Sequence, residues 1–200
     1  MATLSMSLIP TPLLEGDYPL YSALYADPRV SAPSGLPTWM DNQSRRTWFD
    51  NALSIPANQG QIWGLRQEEG GHLCGVLRLT DWEHDAGVIT LGYALSPDLW
   101  GKGLMGACLA EQLPLVFAGK LGTPVNRIQA WVLDSNSRSC HLLERLGFQR
   151  EGILRRLFHN NLGLHDVCAY GLLKDDPVPT ASHRSGVDFP ITQNTLMSVF

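Results

Sequence analysis

LGYALSPDLWGKGLMG, running from Leu91 to Gly106, is the stretch whose reading decides the fold. A β-type run stops at Ser96-Pro97, a glycine-rich loop follows, and an apolar helix begins. Gly101, Gly103 and Gly106 spell G-x-G-x-x-G. Glycines opening a helix leave backbone N–H groups exposed at its N-terminus, which is a ready site for an anion. The function turns on which phosphate-bearing ligand this loop takes.

The elements on either side set its context. Upstream, short β-rich runs at Gln61–Gln67, Leu73–Thr80 and Gly87–Leu95 are separated by turn residues, which predicts antiparallel strands. Downstream, Leu104, Cys108, Leu109, Leu113 and Val116 form the apolar set of a helix over 103–118, with Pro114 predicted to kink or break it. Arg127–Val132 alternates as a strand with Ile128, Ala130 and Val132 on one face, and Trp131 also reads as core. Asp134 to Asn136 offers N-cap chemistry for a helix ending at Leu146, which buries Cys140, Leu143 and Leu146 before Gly147. Strands over 148–158, bent near Gly152, and 166–173 follow, joined by a turn at 160–163. Nearer the start, residues 1–14 hold a first strand and Tyr18–Ala26 a helix. Residues 29–42 read as loop, and Ser44 as the cap of a helix over Arg45–Leu53.

Three ligands compete for the loop. A dinucleotide site needs a strand feeding straight into the first glycine and an acid about 20 residues on. Here Ser96 to Trp100 intervene, the preceding strands look antiparallel, and no acid stands near Asn126. A P-loop needs Gly-Lys-Ser/Thr, which Gly101-Lys102-Gly103 does not supply. An acyl-CoA fits: its pyrophosphate suits the helix amides, and its amide-rich arm can pair with an open strand edge like an added strand. A tight turn without a ligand is the remaining alternative.

Composition sets bounds. Two hundred residues at 44% hydrophobic content suffice for one core. The net charge of −4 and the lack of a basic block disfavour direct nucleic-acid binding, while a mildly acidic surface tolerates an amine or basic peptide. Cys74, Cys108, Cys140 and Cys168 are widely spaced and read as buried free thiols in a reducing compartment. Asp81 to Asp85, with Glu83 and His84, read as a solvated hairpin tip, and no metal is expected. No leader pattern and no apolar run near 18 residues is visible, so a cytoplasmic protein without a membrane span is expected.

Taken in order, Leu91-Gly92-Tyr93, Trp100 to Met105, Asn136-Ser137-Arg138-Ser139, Leu142 to Gly152 and His165-Asp166-Val167 resemble the GNAT acetyltransferase superfamily. With Leu24 to Val30 added, the nearest likeness is to its ribosomal-protein alanine N-acetyltransferase branch. Trp100 stands where the superfamily pattern has Gln or Arg, and Met105 replaces a small residue.

The resemblance implies an α/β GNAT fold, a mixed and mostly antiparallel sheet flanked by helices. The resemblance spans about 13–173; the prolines and small polar residues after Lys174 set off 175–200 from a domain over 1–174, as an extension on the surface or against a partner subunit of a homodimer. Acetyl-CoA is the implied acyl donor, held by Tyr93, Ala94, Leu95, Trp100, Gly101, Lys102, Gly103, Leu104, Met105, Gly106, Asn136 and Arg138. The implied acceptor is a protein or peptide N-terminus, with a small amine, or a non-catalytic acyl-CoA module, as alternatives. Ser139 is the candidate acid for the leaving thiolate, Asn136 a contact to the pantetheine arm, and Glu151 a further catalytic candidate, although a salt bridge to Arg150 or Arg155 suits it better. The positions of the usual glutamate base and tyrosine acid hold Thr90 and Leu143. Trp39, Trp48, His159 and His165 are candidates to line the acceptor site, between the loop over 28–41 and the hairpin over 160–165.

Overall fold

The alternating runs of the sequence close into one sheet. The structure, a computed structural model, describes residues 7–34, 40–160 and 162–177. Among these, β1 (Ile9–Pro12), β2 (Gly60–Arg66), β3 (Gly75–Glu83), β4 (Val88–Leu95), β5 (Arg127–Leu133), β6 (Gln149–Asn160) and β7 (Gly163–Leu173) are ordered β1-β2-β3-β4-β5-β7-β6. Every neighbouring pair is antiparallel except β4 and β5. The helices are α1 (Tyr18–Ala26), α2 (Pro28–Ser31), α3 (Asn42–Leu53), α4 (Leu104–Phe117) and α5 (Ser137–Arg145). The mixed, mostly antiparallel sheet flanked by helices is therefore as the sequence predicts.

The period of two sorts the side chains. Leu77, Leu79, Ile89, Leu91, Ile128 and Ala130 point to one face and pack with Leu109 and Leu113 of α4 and Leu143 of α5. On the other face Val76 and Ala94 pack with Tyr21 and Tyr25 of α1 and Phe49 of α3. Sequence-remote aromatic rings interlock there, with Tyr21 and Phe49 centroids 4.9 Å apart.

Several local expectations change. Trp131 is 48% exposed, because it projects opposite to Ile128, Ala130 and Val132, onto the half of the sheet that α1 and α3 do not cover. The helix α4 runs on past Pro114: the ring sits on the exposed side, while Leu113, Val116 and Phe117 anchor the buried side. Asp41, not Ser44, caps α3, its carboxylate accepting the Ser44 N–H at 2.7 Å. The stretch after Asp27 is not all loop, since Pro28 opens α2. The strands β6 and β7 are longer than expected, and the bend near Gly152 is a register shift between Arg150 and Gly152. Trp39 and residues 178–200 lie outside the described residues. No helix among the described residues is long and apolar enough to cross a membrane.

One buried ion pair ties the first segment to the sheet. Arg66 of β2 and Asp17 are 4% and 8% exposed, and the guanidinium donates to both carboxylate oxygens at 2.9 and 2.7 Å. The same carboxylate accepts the Leu14 N–H at 2.8 Å. Removing one partner strands a buried charge, which typically costs about 3–5 kcal/mol. Arg66→Met should therefore lower the unfolding free energy by about that much, and adding Asp17→Leu should recover most of it, both read by urea denaturation.

Candidate functional site

The site begins where β4 and β5 part. They pair only at Val88 with Arg127, Ile89 with Ile128, and Thr90 with Gln129. The Gln129 amide donates to the Thr90 hydroxyl at 3.2 Å across this last rung. Both strands continue, β4 to Leu95 and β5 to Leu133, unpaired with each other. The edge of β4 that faces β5 is thus open from Leu91 onward, and an extended amide-bearing ligand can pair with it.

The glycine loop closes one side of this opening. Gly101 and Gly103 have φ of +74° and +73°, and a Cβ added at either would meet nothing within 4 Å. They serve a left-handed backbone over open space, where a ligand can approach. Gly103 starts α4 with no side-chain cap, and the first main-chain bond back to it is from Ala107 at 3.0 Å. The N–H groups of Leu104, Met105 and Gly106 therefore have no acceptor within the helix. The side chains of Leu104 and Met105 point into the core, 5% and 7% exposed, so these two residues offer backbone alone. Gly106 has a packing reason: a Cβ there would come within 3.2 Å of Leu142 on α5.

Cations and an indole complete the wall. The Trp100 indole N–H donates to the Leu95 carbonyl at 2.8 Å, tying the loop to the splayed end of β4. The Arg138 guanidinium lies 4.8 Å from the Trp100 ring centroid. Arg29, His141 and Arg145 line the same cleft, whose volume is about 810 Å³. Arg29 is paired with Asp27 at 2.7 Å. Among the described residues no carboxylate pairs with Arg138 or Arg145. Bare helix amides, unpaired guanidinium groups and an open strand edge suit an elongated ligand with phosphates at one end and amides along its length.

The start of α5 faces this wall. The Asn136 side-chain oxygen accepts the Ser139 N–H at 3.2 Å, and its amide nitrogen donates to the Pro33 carbonyl at 3.0 Å. Asn136 therefore caps α5 and ties it to the segment after α2. Beside it, the Tyr93 hydroxyl is buried and has no hydrogen-bond partner. Burial pushes this phenol up to about 12, and the approaching Ser139 side chain pulls the other way without completing a hydrogen bond. A buried, unpartnered hydroxyl next to a serine is a costly arrangement unless a ligand completes it.

Of the residues expected at the site, Tyr93, Ala94, Leu95, Trp100, Gly101, Gly103, Leu104, Met105, Gly106, Asn136, Arg138 and Ser139 come together around the cleft. Lys102 is exposed beside it and does not line it. Glu151 is elsewhere: both of its oxygens accept from Arg127, at 2.6 and 2.5 Å, and this fork holds the carboxyl below its usual range. Its partner is thus Arg127, not Arg150 or Arg155. Arg150 instead pairs with Asp134 at 2.6 Å. His165 is bonded to Asn160 at 2.8 Å, and Asp166 accepts the Arg156 N–H at 2.8 Å within the hairpin. His84 stacks on Trp82 and bonds the Asn58 carbonyl. Among the described residues no group of three His, Cys, Asp or Glu is placed to hold a metal. The four cysteines are free, with Cys108 and Cys168 buried and Cys74 and Cys140 half-buried.

The sequence did not single out Arg29, His141 or Arg145, or the Tyr93 phenol as distinct from its backbone. Spacing on α5 could have found two of them, since His141 and Arg145 follow Arg138 at i+3 and i+7 on one helix face.

The profile of the acetyltransferase (GNAT) domain family matches residues 8–149. The uncharacterized N-acetyltransferase p20 of Bacillus licheniformis is 28% identical over 152 residues, covering 75% of this chain and 83% of that protein. Among solved structures, spermidine N-acetyltransferase from Vibrio cholerae, with CoA and spermine bound, superposes with a TM-score of 0.71 at 18% identity, covering 84% of this chain and 96% of that one. The ribosomal-protein-S5-alanine acetyltransferase from Vibrio fischeri superposes with a TM-score of 0.70 at 18% identity, covering 84% and 93%. At that identity the two structures establish a shared fold.

Trp100→Ala removes both the bond to Leu95 and the platform under Arg138. It should weaken CoA binding by about 2 kcal/mol, about 30-fold, in titration calorimetry. Lys102→Ala should leave the affinity within about twofold, as expected of a solvent-screened charge.

Proposed function

The chain belongs to the GNAT acetyltransferase family, and on that footing we propose that it acetylates the α-amine of a protein N-terminus, in the manner of the ribosomal-protein alanine branch. It is an acyl-CoA-dependent N-acetyltransferase, with acetyl-CoA as the donor. Acetyl-CoA supplies the acetyl group and a thiolate leaving group. The cleft residues supply the rest.

Acyl transfer to nitrogen needs a neutral amine, a polarised carbonyl and a proton for the leaving sulfur. We assign the polarising of the carbonyl to the open backbone of β4 at Tyr93 and Leu95, whose N–H groups face the splay, while Ala94 between them faces β3. The phosphates go to the bare amides of α4 and to Arg138 and Arg145. Ser139 Oγ is the proton donor to the leaving sulfur. The Tyr93 phenol stands behind it, protonated throughout the ordinary pH range because burial has raised it to about 12. Asn136 positions Ser139 through the cap. Glu151 takes no part, since Arg127 engages its carboxylate outside the cleft. Among the described residues no carboxylate takes the place of the missing base beside Thr90, whose hydroxyl accepts from Gln129, so in this reading the amine reaches the site neutral by exchange with solvent.

The observation that carries the N-terminal acceptor is the uncovered half-sheet beyond the splay. There Trp131 is 48% exposed, and Leu154 of β6, in register with Val167 of β7 and Leu133 of β5 on the same face, is 38% exposed. A chain-like acceptor can lie along such a surface, whereas a small amine needs no more than the splay itself. In this reading residues 1–174 are the catalytic domain and 175–200 an extension of it.

The test is an acceptor screen with acetyl-CoA, comparing short peptides with free N-termini against polyamines and aminoglycosides. Peptides should have the higher kcat/KM, and a clear preference for small amines refutes the N-terminal acceptor. Ser139→Ala should lower kcat by about 100-fold, within the range for a general acid, and leave acetyl-CoA affinity within about twofold. The pH profile follows from the same groups. With no protein base and a phenol near 12, kcat/KM should rise with pH through the α-amine value of about 8 and show no falling limb before about pH 10.

A further inference from the structure

A row of residues in register crosses the splay on the face carrying α1 and α3. Arg78 of β3 pairs with Gly92 of β4. One alternation beyond the last rung, Thr90 with Gln129, Gly92 has Trp131 across the opening, and Trp131 pairs with Ala169 of β7. The floor between Arg78 and Trp131 thus carries no large side chain. The arm of Arg78 lies over Gly92, where a Cβ would sit 3.8 Å from Arg78 Cβ and 3.9 Å from its Cδ.

The setting of the Arg78 guanidinium is unusual for a half-buried cation. Its Cζ lies 4.9 Å from the Trp48 ring centroid. Trp48 packs on Tyr25 at 4.6 Å, and Tyr25 on Tyr21 at 4.8 Å. Burial pushes the Tyr25 phenol up to about 12 while Arg78 pulls it back, which places the cation next to that hydroxyl. Among the described residues no carboxylate pairs with Arg78, and the acids around the splay are engaged elsewhere: Asp27 by Arg29, Asp134 by Arg150 and Glu151 by Arg127. The Tyr25 hydroxyl takes one of its donors, and a guanidinium stacked on an indole keeps the remaining edge N–H groups for a carboxylate.

We propose that Arg78 is a specificity residue that receives a carboxylate of the acceptor, so that the preferred substrate is an amine carrying a carboxylate near its nitrogen, with its apolar part against Trp131. This rests on the amine being presented at the splay, as in the function proposed above. Gly92 is about one strand spacing, ~4.8 Å, from Arg78, so a carboxylate on the guanidinium edge lies within a short side chain's reach of the open β4 edge. The carboxylate has two possible sources: an acidic side chain just after a peptide N-terminus, or the carboxylate of a free amino acid. A polyamine meets a like charge there.

The experiment measures kcat/KM for the full chain at saturating acetyl-CoA with Ala-Asp and Ala-Glu peptides, their Asn and Gln counterparts, free amino acids, the matching amino-acid amides, and spermidine. The acidic member of each active pair should exceed its amide by about 10–100-fold, the range for a hydrogen-bonded charge. Activity on peptides places the carboxylate in a side chain, and activity confined to free amino acids places it at the α-carbon. Arg78→Met should erase the preference by lowering only the acidic acceptor, Arg78→Lys should keep part of it, and acetyl-CoA affinity should stay within about twofold in both. Equal rates on acid and amide in the unaltered protein overturn the proposal while leaving amine acetylation intact, and this comparison needs no variant to fold. Equal losses on acid and amide in Arg78→Met, or a preference for spermidine, overturn it as well. Tight acetyl-CoA binding with no acetylation of any amine removes the transferase reading itself, and this inference with it.

Discussion

The parting of β4 and β5 after Thr90 and Gln129 is the constraint from which the rest of the site follows. Two parallel strands that stayed paired would satisfy each other's backbone and leave no edge for a ligand. Their separation has a physical cause in the elements that follow each strand. The loop after β4 folds back so that Trp100 takes the Leu95 carbonyl, and Asn136 after β5 ties the start of α5 to Pro33. Each strand end is thereby held by a neighbour other than its partner strand. Unpaired polar backbone is tolerable here because it faces a cleft that water or ligand can enter.

The same economy explains the start of α4. A helix whose first turn buries Leu104 and Met105 gains core packing with the side chains it has, so the ligand-facing work falls to backbone amides. This is why a methionine can stand where a small residue is usual: its side chain never enters the cleft. Trp100 is a different case. In place of a flexible Gln or Arg it brings a flat ring that both bonds the strand end and carries Arg138 on its face. A rigid two-point contact replaces a mobile one, and a cation is held at the mouth of the cleft without any carboxylate to neutralise it.

Much of this was legible in the sequence, for reasons that differ by residue. The glycine loop, the helix after it and the Asn136 cap are local chemistry, and local chemistry reads directly from spacing. The succession of strands along the chain followed from turn signals between short alternating runs. Two failures are local, the Asp41 cap of α3 and the short helix opened by Pro28; the others are non-local. Trp131 alternates correctly for a strand, but whether its face is covered depends on where α1 and α3 end across the sheet, which no window of sequence contains. Pro114 should disrupt a helix by propensity, yet its exposed position and the buried neighbours Leu113, Val116 and Phe117 outweigh the loss of one bond. Glu151 sits in a familiar context, but Arg127, 24 residues away, fixes its carboxylate over Gly171, where no Cβ would fit beside the fork.

Net charge misleads in the same way. A chain at −4 suggests attraction for cations, including polyamines. The distribution around the cleft argues otherwise. Asp17, Asp27, Asp134 and Glu151 are each bound to an arginine, which removes their field at short range. Arg138 and Arg145 on one side of the splay, and Arg78 on the other, have no such partner among the described residues. Close to the reacting atoms the field is set by these three guanidinium groups rather than by the surface total, because a charge beyond a Debye length of about 8–10 Å is largely screened. In the assignment proposed above, the donor's phosphates account for the cations on the α5 side. They do not account for Arg78, which lies on the opposite face of the sheet from α4 and α5, among the aromatic rings of α1 and α3. The Trp48 ring and the Tyr25 hydroxyl meet this half-buried cation only in part, and in the reaction proposed above its remaining partner is the acceptor's carboxylate.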